Sequence, residues 1–414
     1  MTVTFMTRAN LEAAGGNAGK AYAAQQAALT APAWDYLRFE KGSIIYVPGL
    51  GCYTREERIK NPSQTGAATS CVDAVKQQAI GSREGRVSAM KIYTGIKQGS
   101  PAHLLTYLMQ DYIYRRISDD SNRQQNHGNI LDREGSAYIP DIQVAVFLLH
   151  MFTSRTSAAH VLMQKGYTLR EALLFGKTFF ETLEYMHGKG IVHRDLKPQN
   201  ILEDSVVKNG KIVGVMPEKI QLFDFDVSWD RKYVRWSDEK LNPGSIVGTP
   251  GYIAPEILSG KSLPTETKMD IYSGTMTLFD LITGKHGWDF KGMNPIDAIR
   301  KTAEWYRRGE GLPERFEVFD EIEHNGPIRK LIKEMLTAGF ECNPDNRPNA
   351  GELAKKCGDI LKQVPDVTDY HSHDLETDDG TVVDVNALQG ELYKKDLFGT
   401  VCMDEDVSKT VLAA

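Results

Sequence analysis

The segment His193-Arg-Asp-Leu-Lys-Pro-Gln-Asn200 places three chemically distinct side chains at fixed intervals in one short loop. The carboxylate of Asp195 can accept or orient a proton, and the ammonium of Lys197, two residues on, can offset developing negative charge. The amide oxygen of Asn200, five residues after Asp195, is a hard ligand for a divalent cation. Eight ordered residues of this kind are more than a chance polar loop supplies.

The elements around this loop change from strand-like to helical along the chain. Strands are predicted at Ser43–Val47, Cys71–Ile80, Val87–Tyr93 and Val144–Phe152, a loop at Thr54–Ser70, and helices at Pro101–Ile117 and Thr168–His187. Thr168 and Glu171 form a capping box at the start of the last helix. Strands followed by helices predict an α+β chain with a small β-rich lobe and a larger helical lobe.

Two segments downstream of the loop carry further candidate residues. In Gln221-Leu-Phe-Asp-Phe-Asp226 a strand delivers Asp224, a hard oxygen ligand, and Phe225 would pack beneath it. The residues between Val206 and Met216 lengthen the gap from Asn200 to this strand and predict an extended hairpin.

The three segments together resemble the eukaryotic-type Ser/Thr protein kinase family. The third is Gly248-Thr-Pro-Gly-Tyr-Ile-Ala-Pro-Glu256, which is similar to the end of a Ser/Thr kinase activation segment. The resemblance covers roughly residues 40–362 and is strong from about Thr168 onward. It implies a bilobal α+β fold, with an N-lobe at about 34–152 and a C-lobe at about 153–365, that binds ATP and Mg²⁺, with Mn²⁺ as a possible substitute.

The resemblance also implies roles for individual residues. Asp195 would be the catalytic base, Lys197 would neutralise charge on the transferred phosphoryl group, and Asn200 and Asp224 would bind the metal. The remaining structural or regulatory positions are His193, Arg194, Phe225, Thr249, Glu256, Asp270 and Arg347. Among these, Glu256 is expected to pair with Arg347, and Asp270 to hold the backbone of the catalytic loop.

The N-terminal half departs from the family pattern. Lys91, in the strand Val87–Tyr93, resembles the lysine that holds the α- and β-phosphates of ATP, but only Gly49 and Gly51 remain of the glycine-rich phosphate loop. No glutamate lies between Lys91 and Glu134, so Asp111 is the nearest carboxylate to pair with Lys91.

Three other carboxylates, Asp119, Asp120 and Glu134, are alternatives for that pairing. The third residue of the family's Asp-Phe-Gly motif is Asp226 here, which restricts the backbone relative to glycine.

Composition sets the broad class of the protein. The chain has 414 residues, of which 41% are hydrophobic and 25% charged, as in an ordinary globular protein. Its net charge is −6, and residues 366–414 hold 12 acidic and 3 basic residues, a net of −9. The remainder is therefore only +3, which gives no basis for predicting nucleic-acid binding. No apolar stretch approaches the ~20 residues of a membrane span.

The termini and the cysteines predict the remaining organisation. Residues 1–33 are expected to be a flexible leader, 34–365 the kinase-like domain, and 366–414 an acidic tail that is either solvated or acts as an autoinhibitory or partner-binding segment. Five scattered cysteines and no secretory signal predict a reducing, cytoplasmic location, with signal-less export to a host cell as the open alternative.

The leading hypothesis is therefore a Ser/Thr kinase that acts on a protein substrate. The alternative is a pseudokinase that serves as a binding or scaffold module, and a third interpretation is a small-molecule phosphotransferase. An activating partner is possible, as is phosphorylation of the activation segment at Tyr233, Ser237 or Ser245 near Arg194. The sequence carries no signal for the oligomeric state.

Overall fold

The structure, a computed structural model, describes most of the chain. The described residues are 4–6, 41–42, 44–47, 50–60, 70–77, 87–93, 101–118, 129–139, 144–151, 155–231, 246–259, 267–321, 326–365 and 401–403. The predicted leader, apart from residues 4–6, and the predicted acidic tail, apart from residues 401–403, lie outside this set, so those two predictions stay predictions.

Two compact units make up the described chain. The first comprises the described residues up to Asp111 and those between 131 and 153, and the second begins at Tyr112 and takes most of the remainder. One boundary between the two units lies near residue 153. The division also falls inside one helix, so that residues 112–130 belong to the second unit.

The first unit is built on a seven-stranded antiparallel sheet. In chain order its strands are β1 (Thr4–Met6), β2 (Ile44–Val47), β3 (Gly51–Lys60), β4 (Ser70–Gln77), β5 (Val87–Tyr93), β6 (Arg133–Ile139) and β7 (Val144–His150). Their order in the sheet is β1-β2-β3-β4-β5-β7-β6. One face buries a cluster that comprises Val47, Tyr53, Val75, Met90, Ile92, Val144, Val146 and Leu148.

This sheet confirms most of the predicted strands and corrects one prediction. The expected loop at Thr54–Ser70 is wrong in its first half, because β3 runs through Lys60 and pairs with both β2 and β4. Its polar side chains lower intrinsic strand propensity, but backbone pairing on both sides stabilises the strand nonetheless. Strand β6 was not predicted at all.

Helix α1 (Pro101–Ser118) follows β5, as the sequence predicts. The later helices are α2 (Ala158–Gln164), α3 (Leu169–Gly188), α4 (Pro255–Leu258), α5 (Thr267–Thr283), α6 (Pro295–Arg307), α7 (Gly326–Gly339) and α8 (Ala350–Leu361). The first unit is thus dominated by strands and the second by helices, which confirms the α+β class.

The core of the second unit forms where α3 packs against α5 and α8. Helix α3 begins with the predicted capping box between Thr168 and Glu171. The close approach of α3 and α5 depends on Gly274, since a Cβ atom there would lie 2.9 Å from the Phe179 ring.

Three pairs or groups of strands lie between the helices of the second unit. Strands β8 (Arg155–Ser157), β10 (Ile201–Lys208) and β11 (Lys211–Leu222) form one sheet, and the long β10–β11 pair confirms the predicted hairpin. Strand β9 (Ile191–Val192) pairs with β12 (Trp229–Asp230). Strand β13 (Ile246–Gly248) pairs with β14 (Val401–Met403), the one described part of the acidic C-terminal segment. No helix among the described residues is long and apolar enough to cross a bilayer.

Candidate active site

The loop between β9 and β10 is held by Asp270 on α5. Its Oδ2 accepts the backbone N–H of His193 at 2.8 Å, and its Oδ1 accepts that of Arg194 at 2.9 Å. His187 lies 3.0 Å from the same carboxylate. Asp270 is fully buried, so these bonds to a charged acceptor fix the loop in a water-free setting. This is the contact expected for Asp270 from the sequence.

The side chains of the loop converge on Asp195. Thr249 donates its hydroxyl to Asp195 Oδ1 at 2.7 Å and accepts from Lys197 Nζ at 2.8 Å. The same ammonium lies 3.6 Å from Asp195 Oδ2. Asn200 donates its Nδ2 to both the backbone oxygen and the Oδ2 of Asp195, at 2.8 and 3.0 Å. All four side chains are buried, so one carboxylate is oriented by three partners.

The backbone of this loop is strained at Arg194, whose φ is 70°. A non-glycine residue in the left-handed region costs roughly 1–3 kcal/mol and persists where its surroundings determine it. Its neighbour Gly248 also has a positive φ, of 125°, and a Cβ there would lie 3.0 Å from the Arg194 carbonyl oxygen. Glycine at 248 therefore allows the strand before Thr249 to approach the loop closely.

A second strained residue, Asp224, follows β11 with φ of 66°. Its side chain is half-buried, whereas that of the next residue, Phe225, is fully buried against the rings of His193 and Tyr114. His193 also bonds the Phe223 carbonyl at 3.0 Å. Phe225 therefore anchors the turn, whereas Asp224 is only half-buried.

The expected pair between Glu256 and Arg347 is present and bidentate. Arg347 Nη1 and Nη2 donate to the two carboxylate oxygens of Glu256 at 2.7 and 2.6 Å. The guanidinium is fully buried, donates to three further carbonyl groups and lies 5.2 Å from the ring of Tyr272. It ties helix α4, which follows the Thr249 segment, to the end of α7.

The family model described as "Protein kinase domain" matches residues 109–357, which is more than half of the chain. The matched residues include the whole of the loop just described. This chain belongs to the protein kinase family.

Curated relatives are similar to parts of the chain. It is 40% identical over 106 residues to the serine/threonine-protein kinase PknD of Chlamydia pneumoniae, which covers 25% of this chain and 11% of the relative. It is 35% identical over 127 residues to the serine/threonine-protein kinase ppk21 of Schizosaccharomyces pombe, 31% of this chain and 21% of the relative.

A plant relative aligns over a longer stretch. Identity to the cysteine-rich receptor-like protein kinase 45 of Arabidopsis thaliana is 30% over 192 residues, 45% of this chain and 49% of the relative. The chain thus spans between about a tenth and a half of the length of these relatives.

The remaining predicted site residues belong to the first unit. Lys91 lies on β5 and is buried. Gly51 follows the turn from β2 into β3 with φ of 118°, a conformation that favours glycine, whereas Gly49 lies outside the described residues. Asp111 accepts from Arg133 Nη1 at 2.7 Å and from the Ser136 hydroxyl.

The expected pairing of Asp111 with Lys91 therefore competes with a contact that is already made, and it stays a prediction. The candidate phosphorylation sites Tyr233, Ser237 and Ser245 lie outside the described residues.

One contact of the activation segment was missed by the sequence reasoning. Asp230, on β12, is buried and accepts from the Tyr112 hydroxyl at 2.8 Å and from Arg116 Nε at 3.4 Å, both on the second half of α1. The spacing of Tyr112 and Arg116 was visible in the sequence: the two residues are four apart and share one face of a helix, which allows both to contact the same partner.

The donor set of the loop fits a magnesium ion that is shared with phosphate groups. The amide nitrogen of Asn200 donates to Asp195, so the amide oxygen of Asn200 is directed away from Asp195. With Asp224 it offers two hard oxygen ligands, and Mg²⁺ typically takes one or two carboxylates and completes its shell with phosphates and water. Among the described residues there is no group of three or more His, Cys, Asp or Glu side chains that could hold a metal.

Proposed function

We propose that the chain is an active protein-serine/threonine kinase, which transfers the γ-phosphate of ATP to a protein hydroxyl with Asp195 as the catalytic base. The observation that carries this proposal is that one buried carboxylate accepts hydrogen bonds from Thr249 and Asn200 and lies in an ion pair with Lys197. The bacterial and yeast relatives are serine/threonine-protein kinases, which favours serine and threonine as acceptors.

In this mechanism Asp195 orients the substrate hydroxyl and accepts its proton. Each carboxylate oxygen has two lone pairs, so Oδ1 and Oδ2 keep acceptor capacity beside the bonds from Thr249 and Asn200. Lys197 Nζ lies 3.6 Å from Asp195 Oδ2 and would offset negative charge on the transferred group. Thr249 donates to Asp195 and accepts from Lys197, and it thereby fixes the spacing between these two side chains.

Mg²⁺ with ATP supplies the phosphoryl group and the cation that neutralises its charge. Asp224 and Asn200 would hold the metal, and Mn²⁺ accepts the same oxygen ligands. Lys91 would bind the α- and β-phosphates, and the turn at Gly49 and Gly51 would allow backbone N–H groups to approach the phosphates.

A pseudokinase that acts as a scaffold is the second candidate. Its support is the reduced glycine turn, Asp226 in place of glycine, and Asp111 engaged by Arg133. Against it, a module without chemistry has no need for Asp195 and the three buried polar side chains around it, which would be costly to bury without their mutual contacts.

Phosphate transfer from γ-labelled ATP with Mg²⁺ tests the proposal. The acceptors are a generic basic protein and the chain itself, and the variants are Asp195→Asn and Asp224→Asn. Loss of the base or of the metal ligand should lower incorporation by about 10²–10⁴-fold. Asp359→Asn, on an exposed position of α8, is the matched control and should label like the wild type.

The outcomes separate the candidates. Label that depends on both Asp195 and Asp224 supports the kinase. Nucleotide binding without label, in the presence of Mg²⁺ and Mn²⁺, favours the pseudokinase or a kinase that requires an activating partner. An Asp195→Asn protein that labels as well as the wild type refutes the assignment of the base.

A further inference from the structure

The segment that leads to Thr249 forms a two-stranded sheet with the C-terminal part of the chain. Strand β13 pairs antiparallel with β14, with Gly248 opposite Val401 and Ile246 opposite Met403. Among the described residues no other strand joins this sheet. The two strands are therefore held together through their backbones, which is also how an extended peptide adds to the exposed edge of a sheet.

Strand β13 ends directly beside the carboxylate of Asp195. The residue that follows β13 is Thr249, whose hydroxyl donates to Asp195 Oδ1 at 2.7 Å. The chain turns at this point, because the Thr249 carbonyl accepts the Tyr252 N–H at 2.9 Å. Successive residues of a strand are about 3.3 Å apart. The pair of Gly248 and Val401 therefore lies one residue away from the side chain that contacts Asp195.

The two strands differ in how firmly they are held. Ile246 and Val247 of β13 are buried, and Gly248 packs so closely that a Cβ atom there would lie 3.0 Å from the Arg194 carbonyl oxygen. Strand β14 has only three paired residues, which supply few backbone hydrogen bonds, and each of these is replaced by a bond to water when the strand leaves. Strand β13 is thus a fixed template, and β14 is short enough for a peptide with further contacts to displace it.

We propose that β14 is an autoinhibitory strand, which fills the edge of β13 to which an extended substrate peptide would add beside Asp195. The inference rests on the proposed function, in which Asp195 receives the hydroxyl of a protein substrate. A peptide that delivers a hydroxyl to Asp195 has to pass Thr249, so its backbone meets the edge that β14 fills. Because β14 belongs to the same chain, its binding is intramolecular, and a separate substrate must compete with its effective concentration.

Phosphate transfer to a protein acceptor tests the inhibition in the full chain. Cys402→Pro removes the backbone N–H at the centre of β14 and should break the pairing, whereas Cys402→Val keeps that N–H and is the matched control. If β14 leaves about 10% of the molecules open or fewer, it raises the KM for the acceptor about tenfold or more. That KM should therefore fall by this factor in Cys402→Pro and keep its wild-type value in Cys402→Val, with the KM for ATP unchanged in both.

A second test measures peptide binding and needs no catalysis. A fluorescent peptide of residues 397–408 should bind the Cys402→Pro chain about tenfold or more tightly than the wild type, in which β14 fills the edge. The same peptide with Cys402→Pro is the control and should bind neither chain. Hydrogen exchange of residues 246–248 should be faster in the Cys402→Pro chain than in the wild type, and should become slow again when the unmodified peptide is added.

The results that overturn the inference are distinct from those that overturn the proposed function. An acceptor KM that is unchanged or higher in Cys402→Pro overturns the inference, because β14 would then support the strand before Thr249 rather than block it. Equal binding of the peptide to both chains overturns it as well, since β14 would not fill the edge. A chain that transfers no phosphate in any variant refutes the proposed function alone, and the binding and exchange measurements still decide whether residues 401–403 occupy the edge of β13.

Discussion

Replacement of Glu203 by glutamine should make the stability of this protein less dependent on pH. Glu203 lies on β10, three residues after Asn200, and its side chain is completely buried. Its Oε1 accepts from the Tyr167 hydroxyl, while Oε2 has no partner among the described residues. Burial raises the pKa of this carboxyl from 4.5 to about 8, and Glu171 adds to the rise while Tyr167 and Lys165 oppose it.

The sign of the effect follows from proton binding. Between pH 4.5 and 8 the folded protein keeps a proton on Glu203 that the unfolded chain releases, so the free energy of unfolding falls as the pH rises. At about 1.4 kcal/mol per unit of pKa, the loss is about 3 kcal/mol at pH 7 and about 5 kcal/mol above pH 8. Glutamine resembles the protonated carboxyl and carries no such penalty.

Urea unfolding of the wild type and Glu203→Gln at pH 5, 6, 7 and 8 measures this difference. The variant should match the wild type near pH 5 and exceed its stability increasingly toward pH 8. Glu304→Gln, an exposed glutamate on α6, is the control and should follow the wild type at every pH. Hydrogen exchange of the β10 peptides reports the same difference locally, should the two units unfold separately. A constant difference, or a variant less stable at pH 8, would refute the reasoning.

Other contacts give predictions of their own. Arg347→Leu leaves the Glu256 carboxylate buried without its partner and should cost about 3–5 kcal/mol in thermal unfolding; an unchanged Tm would contradict a structural role for the pair. Asp270→Asn keeps one acceptor oxygen for two backbone donors, and should lower kcat about tenfold or more with KM for ATP nearly unchanged, whereas a change in KM alone would argue against it. Tyr112→Phe removes a bond to buried Asp230 and should destabilise the protein by about 1–2 kcal/mol, measured by urea unfolding, an effect that should disappear in an Asp230→Ala background if the bond is its origin.

The helical unit was the more predictable part of the chain because its signals are local. The capping box at Thr168 and Glu171 fixes the start of α3 within four residues of sequence, and the β10–β11 pair forms where the sequence predicts a hairpin. The loop around Asp195 follows the same logic, since Asp195, Lys197 and Asn200 lie within six residues of one another.

The sheet unit was harder because its strands are determined by their partners. The strand Gly51–Lys60 has a polar sequence and forms because it is paired on both sides. The hydrogen bond between Tyr93 and Gln110 was unpredictable for a related reason, since only the fold brings the Tyr93 hydroxyl to this amide. Glu203 gave no sign of burial in sequence, because the side chains that desolvate it come from other elements.

The strained residues bear on the choice between an active kinase and a scaffold. Arg194 and Asp224 both adopt a positive φ, and they directly precede Asp195 and Phe225. At roughly 1–3 kcal/mol each, two such residues consume a sizeable part of the stability of an ordinary domain. Binding a partner would need neither of them, whereas directing a carboxylate and a metal ligand out of tightly held turns would need both. The strain therefore favours chemistry at Asp195 over a purely structural role for this loop.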